Sequence, residues 1–113
     1  MAPKYVYKIV SSAPPEPIPA QYPLSDLDKA DGFVHLSTGT QIPVVADTFF
    51  ATASRLWLMK FELSRLDDPV KWEGGFPHLY GNFGAKDVRS VRGFERAGTR
   101  SWAESMRGSS WLE

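Results

Sequence analysis

The sequence predicts an α+β domain: a small twisted sheet, mixed or antiparallel, with one or two helices on one side of it. Three observations lead there. Short runs rich in β-branched and aromatic residues recur along the chain, helical signals separate the first three of them, and glycine or proline marks most junctions.

Tyr5 to Val10 reads as the first strand, with Tyr5, Tyr7 and Ile9 facing one way and Val6, Lys8 and Val10 the other. Five prolines between Ser11 and Pro23 exclude a helix or a central strand, because proline lacks a backbone donor and restricts its neighbour. That segment is expected to be a surface loop, either a plain connection, a lid or a proline-rich ligand for a partner. Ser25 to Asp28 has capping-box spacing, and Gly32 suits the end of the short helix that follows.

Phe33 to Ser37 forms the second strand, placing Val34 and Leu36 towards the core and Phe33, His35 and Ser37 on the opposite face. Thr38 or Thr40 can cap the next helix, where Pro43 is tolerated in the first turn and Val44, Val45, Thr48 and Phe49 read as a core stripe. The apolar run Arg55 to Glu62 suits a central strand covered on both faces. Val70 to Glu73 extends again, Phe76 to Tyr80 is irregular or briefly extended, and Val88 to Phe94 alternates as a last strand. Residues 1–96 are expected to form one compact domain and residues 97–113 an extension, either loose or docking a helix over the domain; glycine and serine favour the loose form, while Trp102 and Trp111 argue against full exposure.

Thirteen basic and thirteen acidic residues cancel, which argues against a chain-wide electrostatic grip on nucleic acid or an anionic membrane. With no cysteine, disulfides and thiolate chemistry are excluded. The first residues lack a signal-peptide core and no apolar run approaches membrane-spanning length, so a cytoplasmic protein is expected. Nothing in the composition fixes an oligomeric state.

The chemistry centres on His35 and His78, the two histidines of the chain. Imidazole exchanges protons near neutral pH, and each ring lies close to hydroxyls: Ser37 and Thr38 for the first, Tyr80 for the second. The expectation is that both reach one cleft, with Glu73 orienting an imidazole or a sugar hydroxyl and Lys8 offering a contact to an anion. His35, His78 and Glu73 are the candidate catalytic groups; Lys8, Ser37, Thr38 and Tyr80 are the candidate ligand contacts. No metal is expected, since the histidines lack a local ligating spacing. Phosphate loops of the G-x-x-x-x-G-K or G-x-G-x-x-G type and the G-x-S-x-G elbow are also missing.

Tyr7-Lys-Ile9, Asp31-Gly-Phe-Val-His-Leu-Ser-Thr38 with Gln41, Trp72-Glu73 and Phe76-Pro-His-Leu-Tyr-Gly81 together resemble domain of unknown function 952, over about residues 5 to 94. That resemblance implies an ADP-ribosyltransferase-like fold near the RNA 2'-phosphotransferases, whose histidine-leucine-serine strand is similar to His35-Leu-Ser37. It implies a cleft for NAD or an ADP-ribose-like ligand, with His35 and Ser37 on its wall. Where many such proteins bring a histidine to the nicotinamide ribose, this chain has Lys8. Three functions stay open: a transferase-type enzyme binding NAD, ADP-ribose or a related nucleotide or phosphorylated ligand; an acid/base enzyme on a small molecule without NAD; and a non-catalytic ligand-binding domain.

Overall fold

Arg55–Glu62 is the spine of the structure, a computed structural model that describes residues 3–96 and 98–113. In chain order the described elements are β1 (Tyr5–Val10), α1 (Asp26–Asp31), β2 (Val34–His35), α2 (Ile42–Phe49), β3 (Arg55–Glu62), β4 (Val70–Glu73), β5 (Phe76–Leu79), β6 (Val88–Glu95) and α3 (Trp102–Met106). A single 3-10 turn, Leu63–Arg65, follows β3.

The strands form two three-stranded sheets, ordered β1-β3-β6 and β2-β5-β4, where the sequence leads one to expect a single sheet. Every described ladder is antiparallel. An isolated bridge between Tyr7 and Ser37 joins the two, each residue's N–H donating to the other's carbonyl at 2.8 and 2.9 Å.

Alternation along β3 explains the layering. Leu56 and Leu58 point to a core shared with Tyr5, Tyr7, Ile42 and Trp102, on the side of α2 and α3. Met59 and Phe61 point the other way, into a core with Val6, Val34, Leu36 and Leu79 from the second sheet. Arg55–Glu62 is therefore covered on both faces, as its apolar run predicts. A register irregularity between Lys60 and Phe61 interrupts the β3–β6 ladder. Lys60 itself is buried over the ring of Tyr5, with its ammonium on the carbonyl of Trp111 and the carboxylate of Glu113.

Two expectations need correction. The core face of α2 is Ile42 and Ala46, one turn apart; Val44 is 65% exposed and Phe49 is 75% exposed. The helix carries more than one apolar flank, and the small Ala46 side chain belongs to the flank that packs.

The chain beyond residue 97 is likewise not loose. Ser101 caps α3 in a reciprocal capping box with Glu104, and the Asp47 carboxylate of α2 accepts from the N–H groups of Trp102 and Ala103. The Trp102 indole is fully buried and donates to the Phe50 carbonyl at 2.9 Å. A third described helix thus docks where the sequence favours disorder.

Candidate active site

The geometry begins with α1. Ser25 accepts a hydrogen bond from the Asp28 N–H, and Gly32 closes the helix in the left-handed region at φ 81°. Asp28 makes only half of a capping box, because its carboxylate turns inward and is 2% exposed. One oxygen lies 2.6 Å from His35 Nδ1 and also meets the His35 N–H at 3.4 Å. The other lies 2.9 Å from Lys8 Nζ, an ion pair off the angle of a directed hydrogen bond. Burial pushes the Asp28 carboxyl up, but its contacts with Lys8 and His35 outweigh that and hold it below the usual carboxylate range.

His35 Nε2 faces Asp31 Oδ2 at 3.0 Å, so both ring nitrogens meet carboxylates and both are placed to donate. Opposite it, the β2–β5 ladder pairs His35 with His78, and the ring centroids are 6.3 Å apart. His78 Nδ1 lies 2.8 Å from the Phe76 carbonyl, which can only accept; Nδ1 therefore carries a proton, and the lone pair of the ring's neutral form is the one at Nε2. Glu73 Oε1 is 3.8 Å from that Nε2, beyond hydrogen-bond distance. The Tyr80 hydroxyl donates to both Glu73 oxygens, at 2.9 and 3.0 Å, and that carboxylate raises the Tyr80 phenol above its ordinary value. Phe33 packs against both imidazoles, with centroids 4.7 Å and 4.6 Å away.

A cleft of about 980 Å³ opens at this point. Lys8, Ser37, His35, His78 and Glu73 all line it, and so does Asp28. Thr38 and Tyr80 do not. Thr38 serves the start of α2, accepting from the Gln41 N–H while its own N–H donates to Gln41 Oε1. Gln41 then donates to the Gly75 carbonyl, which ties α2 to the β4–β5 turn. Tyr80 stands behind Glu73 and supports it. Asp28 is the residue that sequence reasoning missed: its spacing from Ser25 assigns its carboxylate to the helix cap. The usable signal was an acid on a short helix ending just before a histidine strand.

Among the described residues no group of three His, Cys, Asp or Glu side chains is arranged to hold a metal ion, and no helix is long and apolar enough to cross a membrane. Residues 17–91 match the family model described as Protein of unknown function (DUF952).

The chain belongs to this family.

The DUF952 match spans Asp28, His35, Glu73 and His78, and leaves Lys8 and α3 outside it. Among solved structures, the crystal structure of Protein CC0527 from Caulobacter crescentus is similar at 32% identity and a TM-score of 0.73, covering 86% of this chain and 91% of that one. The solution NMR structure of the same protein is similar at 28% identity and a TM-score of 0.64, covering 81% and 85%. No curated protein matches the chain.

Proposed function

We propose that the cleft belongs to a transferase-type enzyme that binds NAD or a related ADP-ribose-bearing nucleotide in the cytoplasm. The observation that carries this is the unlike pair of imidazoles, His35 set as a donor and His78 with a lone pair at Nε2, on one wall with the Glu73 carboxylate. The charge pattern supports it. Lys8 and Asp28 neutralise each other, while Glu73 leaves a carboxylate on the lining, which suits a cationic nicotinamide ring and the positive charge that develops on a ribose as its N-glycosidic bond breaks. In that step the bonding electrons leave with nicotinamide, and an acceptor hydroxyl attacks the ribose carbon. His78 Nε2 takes the hydroxyl proton. His35 and Ser37 would hold the ribose, and Glu73 would orient a sugar hydroxyl. The volume, about 980 Å³, is at the upper end of ordinary ligand pockets. The likeness of His35-Leu-Ser37 to the RNA 2'-phosphotransferase strand, and with it an ADP-ribosyltransferase-like fold, points the same way.

An acid/base enzyme that acts on a small molecule without NAD is the alternative, and one observation favours it. Among the described residues lining the cleft, Lys8 is the one lysine or arginine, and Asp28 already engages it, so a pyrophosphate has no uncommitted side-chain cation there.

Calorimetry with NAD and with ADP-ribose, together with an assay of nicotinamide release, separates the two. Binding of either ligand, with nicotinamide release that is lost in His78→Gln, supports the transferase. A folded protein that binds neither ligand removes it and leaves the acid/base alternative.

A further inference from the structure

Part of the cleft's lining is apolar and has no role in ribosyl chemistry. It comprises Val10, Pro15, Tyr22, Leu27, Phe49 and Phe50, drawn from β1, the proline-rich loop, α1, and α2 with the residue that follows it. Leu27 and Phe49 belong to neither hydrophobic core and are 60% and 75% exposed, yet both line the same hollow. Leu27 directly precedes Asp28, so one turn of α1 sends a carboxylate to His35 and supplies an apolar wall beside it.

The loop side of this lining is built. Tyr22 stacks on Phe83 at 5.0 Å, its N–H donates to the Phe83 carbonyl at 2.8 Å, and its own carbonyl accepts from the Asn82 side chain at 2.9 Å. Gly84 lets the loop come this close, since a Cβ there would lie 1.6 Å from the Ala20 carbonyl oxygen.

We infer that this apolar lining binds the aromatic ring or short hydrocarbon group of an uncharged small-molecule alcohol or phenol, whose hydroxyl is the acceptor beside the histidine pair. The inference rests on the cleft being the site proposed above. Apolar walls on four segments reward removal of hydrocarbon from water. A negative charge is disfavoured by Glu73, with Lys8 already committed to Asp28.

The test uses two fluorescent probes on the full chain without NAD: neutral N-phenyl-1-naphthylamine and the anionic 8-anilino-1-naphthalenesulfonate. The neutral probe should bind saturably and at least about tenfold more tightly than the anionic one, with the gap narrowing in Glu73→Gln. Phe49→Asp and Leu27→Asp, both at exposed positions, should each weaken the neutral probe by about tenfold or more, and Val44→Asp, exposed on the same helix but outside the cleft, should change it less than about twofold. Should Phe49→Asp fold poorly by circular dichroism, Phe49→Ser carries the same expectation in reduced size. Equal affinity for the two probes, or neutral-probe binding indifferent to Phe49 and Leu27, overturns the inference. NAD titrated separately can fail while the probe results hold, so the acceptor arm and the ribosyl-transfer proposal fail independently.

Discussion

His35 and His78 are register partners across the β2–β5 ladder, yet their ring nitrogens meet opposite kinds of neighbour: carboxylates for His35, a backbone carbonyl for His78. Replacing the two should therefore have unlike effects. His78→Gln is expected to lower nicotinamide release by about 100-fold or more while shifting stability by under about 1 kcal/mol. His35→Ala should cost about 1–3 kcal/mol as well, because buried Asp28 loses its imidazole partner. Urea unfolding beside the release assay checks both; equal stability losses would remove the distinction between the rings.

Asp28 gives the protein an acid-sensitive contribution to stability. Its folded-state carboxyl is held below the ordinary range, so the stabilisation is complete above the unfolded value of about 3.9 and is lost as the pH falls through the lower folded value. Asp28→Asn should be less stable than the parent by about 1–3 kcal/mol at neutral pH. That gap should close as the pH drops below about 4. Urea titrations at a series of pH values measure the gap directly; one that stays constant with pH would contradict the assignment.

Trp102 anchors α3 against α2. Trp102→Ala empties a fully buried indole site and should destabilise the whole protein by about 3–5 kcal/mol. A cost under about 1 kcal/mol in denaturant unfolding would mean that the segment contributes little to the core.

The proline-rich loop depends on Gly84. Gly84→Ala drives a Cβ into the Ala20 carbonyl and should cost about 1–3 kcal/mol, with displacement of the Tyr22 wall. Tyr22 and Phe83 shifts in NMR spectra should move together; unchanged shifts would show that the close approach is readily relieved.

Local signals carried most of the elements. Ser25 as cap, Gly32 as terminator, Arg55–Glu62 as a doubly covered strand and the outward side of His35 all follow from periodicity and capping chemistry. Gly74 and Gly75, at φ 60° and 84°, make the tight hairpin turn that a glycine pair implies. Partnerships between distant segments were harder to see. One Tyr7–Ser37 bridge separates a single sheet from two, and strand patterns do not encode which strands pair. On α2, Val45 with Phe49 and Ile42 with Ala46 have the same spacing, so only packing chooses between them. Ser101-Trp-Ala-Glu104 is a readable capping box, but the surrounding glycines and serines mask it. For Asp28 the local rule offered a complete explanation, and the long-range partner went unseen.

The two-residue turn at Gly74-Gly75 also works as a length gauge. Side chains alternate along β5, with Pro77 and Leu79 buried and His78 turned to the cleft. Slippage of the hairpin by one position would point Pro77 or Leu79 outward and drive His78 into hydrocarbon. The face that His78 presents to the cleft is thus tied to the number of glycines at a bend some distance from its ring.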